Sequence, residues 1–194
     1  MAAEVPGAVQ ALLSRRSVNA LQLCEPGPSA EDLDVAIDAA LSGPDHGALK
    51  PLRFVLIRGA ARAQLSELFA RRMRERDPAT PPGKIDKARR MPLAAPMIIA
   101  VGAKLLAQHK VPEIEQLLAA GAGVMNLLNA FHAQGYGAIW LTGGNAYDPQ
   151  IVQALQFAAD ERCLGFIYVG SIGADSGSRP RRLERNGVVR DWSG

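Results

Sequence analysis

The chain has 194 residues, 48% of them hydrophobic and 21% charged, the balance of a globular protein with enough material for one sizeable core. No apolar run reaches the roughly 20 residues a membrane span needs, and the N-terminus lacks the basic segment, apolar core and cleavage site of a signal peptide. The expectation is therefore one cytoplasmic domain over 1–194 with no membrane partner. Net charge is +3, but the arginines gather at 15–16, 71–76, 89–90 and 179–190. Such clusters hold phosphate, on a cofactor or a nucleic acid, or form solvated helix faces. With aromatics at 5% and no aromatic residues interleaved with the basic ones, nucleic acid is the weaker partner.

Val9, Leu12 and Leu13 mark an amphipathic helix over 8–15 that breaks into Arg15, Arg16 and Ser17. Two guanidinium forks and a hydroxyl suit a phosphate. After a proline-marked connection at 24–28, Ser29 begins a capping-box sequence, S-A-E-D, into a helix through Leu41. Its expected buried side is Leu33, Val35, Ala36, Ile37, Ala40 and Leu41. The following loop holds Ser42, Pro44, Asp45 and His46 and passes through Lys50 and Pro51 into a strand over 53–57. His46 and Lys50 either line a site there or stand as ordinary surface residues.

Residues 60–76 read as an amphipathic helix with Leu65, Leu68, Phe69 and Met73 on one side. The proline-rich loop 77–83 and a short basic helix over 84–91 form either a lid or a tolerated excursion. A buried strand follows at 96–101. The longest apolar pattern starts after Pro112 and ends near Gly135, with Ile114, Leu117, Leu118, Gly121, Val124, Met125, Leu128 and Phe131 as its expected core face. Five consecutive small residues, 119–123, interrupt it, and each glycine costs a helix about 1 kcal/mol relative to alanine. Close approach of something offsets that cost: a helix of the same chain, a helix of a second subunit, or a flat ligand.

Residues 136–141 then read as a strand, and Thr142, Gly143, Gly144 and Asn145 as a turn able to offer backbone N–H groups to a ligand. Asp148 and Pro149 open another helix, and 164–169 is a last central strand with Gly165 leaving room for close approach. From 171 onward the chain is polar and arginine-rich, a tail that is disordered or ordered by a partner surface. The alternation predicts a mixed α and β domain with about four or five strands.

Several chemistries are excluded. There is no GxxxxGK[ST] phosphate loop and no GxSxG elbow, and Gly121-x-Gly123 lies inside a helix where a dinucleotide fingerprint does not. His46, His109 and His132 lack metal-ligand spacing, and Cys24 and Cys163 stand apart, so neither a metal nor a disulfide is expected.

Read together, Arg15-Arg16-Ser17, Pro44-Asp45-His46, Ile85-Asp86-Lys87-Ala88-Arg89, Ala95-Pro96, His109-Lys110-Val111-Pro112 with Glu115-Gln116, and Ala133-Gln134-Gly135-Tyr136-Gly137 before Ile139-Trp140 resemble the nitroreductase family, in particular its short NAD(P)H nitroreductase branch. The resemblance runs from residue 8 to about 170. It implies an α+β nitroreductase-like fold, a central mixed or antiparallel sheet flanked by helices, in an intertwined homodimer with FMN at the subunit interface. By matching position, Arg15, Arg16 and Ser17 hold the FMN phosphate, and Trp140, Leu141 and Thr142 approach the flavin ring. The loop carrying Ser42, His46 and Lys50 adds further cofactor contacts, His46 to the flavin of the opposite subunit. Ala130, Phe131, His132, Ala133, Gln134 and Gly135 fall where NAD(P)H docks.

The implied activity is a ping-pong transfer of hydride from NAD(P)H through flavin N5 to a small-molecule acceptor such as a nitroaromatic or a quinone, with the flavin carrying the chemistry and no side chain nominated as catalytic. Alternatives on the same fold are a flavin-dependent dehydrogenase or dehalogenase, or a non-catalytic protein that binds flavin or nucleic acid. The chain departs from the family at Lys50-Pro51-Leu52, where glutamine, proline and tryptophan are usual, and at Leu141, where the branch has arginine. Lys50 either stabilises negative charge on the flavin pyrimidine or faces solvent.

Overall fold

A computed structural model describes residues 6–174 and 187–193. The first helix, α1 (Gly7–Ser14), is followed by the two-residue strand β1 (Leu23–Cys24) and by α2 (Ala30–Leu41). Ser29 caps α2 as its sequence predicts: its hydroxyl accepts from the Asp32 backbone N–H, and the Asp32 side chain reaches back to the Ser29 N–H. Then come β2 (Leu52–Arg58), α3 (Ala60–Arg76), α4 (Pro82–Arg90), β3 (Met97–Lys104), α5 (Glu113–Ala133), β4 (Gly137–Leu141), α6 (Pro149–Ala154) and β5 (Glu161–Ile172).

The strands form one antiparallel sheet with β5 at its centre, β3 and then β2 on one side, and β1 and β4 both on the other. Every residue of β3 from Met97 to Ala103 is buried, which explains its unbroken apolar sequence: both faces of the sheet are covered. Ile98, Ala100, Phe166 and Tyr168 face a layer with Leu65, Phe69 and Ile151 of α3 and α6. Met97, Ile99, Val101, Ile167 and Val169 face α2 and α5 through Leu33, Ala36, Val124 and Leu127.

The face of α5 that the sequence marks as core is only partly so. Val124, Leu128 and Phe131 are buried, but Ile114, Leu118 and Met125 are exposed, Leu118 at 64%. Gln116, Ala120, Gly123 and Leu127 are buried in their place. On α2, Val35 and Leu41 are likewise exposed. The cause is the α2–α5 crossing: a Cβ on Gly123 would stand 2.7 Å from the Ala40 carbonyl oxygen and 2.4 Å from a methyl of Leu52. Small residues bring the two helices together and turn the large apolar ones outward.

One further reading is corrected. Residues 171 and 172 are not tail but the end of β5, paired with Cys24 and Leu23 of β1, a strand too short to carry a sequence signal. The arginines at 179–185 lie outside the described residues, and Arg190 is exposed. No described helix is long and apolar enough to cross a membrane.

Candidate functional site

The site is built around the end of β4. Where β3 and β5 pair, the register shifts between Val101 and Gly102, so that Leu164 is an extra residue in β5 and Gly165 takes a φ of +129°. A Cβ there would lie 2.6 Å from the Leu141 carbonyl oxygen and 2.7 Å from Trp140 Nε1. The bulge thus lets β4 close over β5, and Trp140 Nε1 donates to the Leu164 carbonyl at 3.0 Å.

Beyond this crossing, Leu141 and Thr142 form one wall of a cavity of about 370 Å³, within the range of roughly 300–1,000 Å³ usual for small ligands. Its floor is aromatic: Phe166 meets Phe69 edge to face with centroids 5.2 Å apart, and Tyr168 stands beside them. Burial pushes the Tyr168 phenol far above its ordinary value, so it stays neutral. Its other wall is α4, which contributes Lys84 and Lys87, one turn apart, with Met91 just beyond. Among the described residues neither lysine has a carboxylate partner. An apolar slot bordered by two cations suits a flat ring that carries or gains negative charge.

The turn from Thr142 to Asp148 is clamped from behind by α3. Arg76 donates to the Gly144 carbonyl at 2.8 Å, to Asn145 Oδ1 at 2.7 Å and to Asp148 Oδ2 at 3.0 Å. Arg72 Nε bonds both oxygens of Asp148, at 3.1 and 3.0 Å. Asp148 also caps α6 by accepting from the Gln150 and Ile151 N–H groups, with its side chain fully buried. Burial pushes its carboxyl up, but the bonds from Arg72, Gln150 and Ile151 outweigh that and hold it below the usual carboxylate range.

Arg15, Arg16 and Ser17 leave α1 on the same edge of the sheet. The Val18 N–H donates to the Ala138 carbonyl at 3.0 Å, two residues and hence about 7 Å before Trp140 along the strand. His132 joins this group: its Nε2 lies 2.9 Å from Ser14 Oγ. Burial, then the charges of Arg15 and Arg16, lower its pKa.

Ser42, His46 and Lys50 stand elsewhere and line no part of this cavity. Ser42 Oγ donates to the Ala39 carbonyl at 2.8 Å. The Lys50 N–H donates to Asp45 Oδ2 at 2.7 Å, with Lys50 at φ +51°. His46 Nδ1 meets Glu115 Oε2 at 2.6 Å, on the open side of α5. Lys50 and Asp45 border a smaller hollow of about 320 Å³ with Leu41 and Ala119.

The stretch expected to dock NAD(P)H divides. Phe131 is fully buried, its ring edge to face with Tyr136 at 6.4 Å, so its side chain belongs to the core. Gln134 Nε2 donates to the Asp32 carbonyl at 3.0 Å and ties α5 to α2. Ala130 is half-buried, Ala133 is exposed, and Gly135, at φ +90°, ends the helix. Lys84 and Lys87 were not nominated as cofactor contacts, Arg76 was read only within an arginine cluster, and Asn145 only within the turn after Trp140. The two lysines sit in the segment read as lid or excursion, and no local pattern links Arg76 to a turn some seventy residues later.

The model of the Nitroreductase family matches residues 12–171. The protein YdjA of Escherichia coli strain K12, provisionally named an NAD(P)H nitroreductase, is 36% identical over 167 residues, covering 84% of this chain and 87% of its own. Among solved structures, a nitroreductase-like family protein of Bacillus cereus superposes with a TM-score of 0.79 at 19% identity over 100% of both chains. A provisionally named nitroreductase of Desulfovibrio desulfuricans in complex with FMN gives a TM-score of 0.72 at 25% identity, covering 97% of this chain and 98% of that one. A family match across most of the chain, a sequence relative at 36% identity and the shared antiparallel fold agree: the chain belongs to the nitroreductase family.

Proposed function

We propose that this protein is an FMN-dependent oxidoreductase that passes hydride from NAD(P)H to a nitroaromatic, quinone or similar acceptor by a ping-pong mechanism, working as a homodimer. The observation that carries this reading is the cavity at the end of β4, whose wall holds Leu141 and Thr142, two of the residues expected at the flavin ring. Its aromatic floor fits a flat ring, and Lys84 and Lys87 supply positive charge beside it. Arg15, Arg16 and Ser17, tied to the same edge through Val18 and Ala138, are the residues to hold the phosphate. The FMN complex of the Desulfovibrio desulfuricans relative and the name of the Escherichia coli one support the same cofactor and donor.

FMN, when bound, supplies the redox chemistry by accepting hydride from NAD(P)H and releasing the electrons to the acceptor. The protein's own part is binding and electrostatics. Lysines beside an apolar slot favour a ring that gains negative charge, while the Tyr168 hydroxyl, kept neutral by burial, adds no opposing charge. Residues 42–50 and the exposed faces of α2 and α5 are the parts of the site that a second copy would complete.

A visible spectrum of the purified protein, before and after anaerobic addition of NADPH or NADH, tests this, with the released cofactor identified by mass. Flavin absorption that bleaches on addition is the expected result. A colourless protein that binds no added FMN sinks the proposal.

A further inference from the structure

Asn145 borders the cavity at the end of β4, and its amide has a fixed direction. A guanidinium has donors only, so the Asn145 atom 2.7 Å from Arg76 Nη2 is the amide oxygen. Arg76 is not free to rotate away from it. The same group donates to the Gly144 carbonyl at 2.8 Å and to Asp148 Oδ2 at 3.0 Å, and Asp148 is itself buried and locked by Arg72 and the first N–H groups of α6. With Oδ1 engaged, what Asn145 has left is the two-proton donor Nδ2, which no protein acceptor takes among the described residues. Lys84 and Lys87 at the same cavity are donors as well. The polar rim thus favours a ligand whose edge is made of hydrogen-bond acceptors.

We propose that Asn145 Nδ2 donates a hydrogen bond to a carbonyl oxygen or ring nitrogen of the isoalloxazine in this cavity, and that Arg76 is the positioning residue that sets the amide's direction. The assignment rests on the flavin reading above. It makes the donor at position 145, and not the shape of the turn alone, a determinant of cofactor affinity.

Asn145→Asp separates donor from scaffold. Aspartate has the same shape and still accepts from Arg76, now with the help of charge, so the turn keeps its clamp; the donor is lost and a negative charge takes its place. The apoprotein of Asn145→Asp should melt at or above the wild-type midpoint. Its dissociation constants for FMN and for riboflavin should both rise, each by about tenfold or more, since the change lies at the ring end of the ligand. The visible band of the bound flavin should shift as well. Arg15→Ala should instead weaken FMN and leave riboflavin unchanged. Arg76→Lys, which keeps one donor for Asn145 Oδ1, should bind FMN more tightly than Arg76→Ala.

Equal affinities and an unshifted band in Asn145→Asp overturn the inference while leaving the cofactor reading in place. A wild-type chain that binds neither flavin overturns both.

Discussion

His132 shows how much one ring reports about its surroundings. Ser14 Oγ lies 3.1 Å from the Ala11 carbonyl and 2.9 Å from His132 Nε2, and the tautomer of the ring decides which of the pair donates. Burial first, then Arg15 and Arg16, favour the neutral ring and lower its pKa from the ordinary 6.5. The unfolded chain binds this proton more readily. Stability from neutral His132 is therefore present above pH 6.5 and is lost as pH falls through the folded value. An NMR titration should place His132 below 6.5 in the wild type and move it upward in Arg15→Ala and Arg16→Ala. A midpoint that stays put in both variants would mean that burial alone sets it.

At the scale of elements, α5 carries two glycines with opposite standing. Gly123 is required by its own chain, because a Cβ there runs into Ala40 of α2 and Leu52 of β2. Gly121, two residues earlier and so on nearly the opposite side of the helix, meets nothing within 4 Å. Gly123→Ala should lower unfolding stability in urea by about 1–3 kcal/mol through overpacking. Gly121→Ala should stabilise the isolated chain by up to about 1 kcal/mol through helix propensity. If Gly121→Ala destabilises as strongly as Gly123→Ala, a second surface presses on α5 there, and the effect should grow with protein concentration.

For the molecule as a whole, the sheet is covered on both faces, yet α2 and α5 together still show Val35, Leu41, Ile114, Leu118 and Met125 to solvent. Large apolar residues left exposed on two packed helices mark a candidate interaction surface. His46 stands on the same side through its bond to Glu115 in the first turn of α5. In the homodimer proposed above, His46 of one copy would meet the cofactor beside Leu141 and Thr142 of the other, which is why a single chain holds them apart. Leu118→Glu should convert a dimer into a monomer in sedimentation velocity and lose bound flavin with it. A wild-type chain that is monomeric at micromolar concentration would remove the basis of the paired site.

The sequence by itself determined the ends of the helices and the character of the strands. The Ser29 capping box, the Asp148-Pro149 start, Gly135 after α5 and the span Ala60–Arg76 of α3 are all legible, because caps and breakers act over three or four residues. The arginine pair after α1 and the turn after Trp140 were legible as candidate ligand groups for the same local reason. Tertiary structure alone decided which stripe of α5 is buried, since periodicity reveals an apolar face but not the neighbour that covers it. It alone brought α4 over β5 to make the cavity, bulged β5 at Gly165 beneath Trp140, and set Arg76 against Asn145. Those contacts join residues far apart in the chain, where no short-range pattern records which side chains will meet.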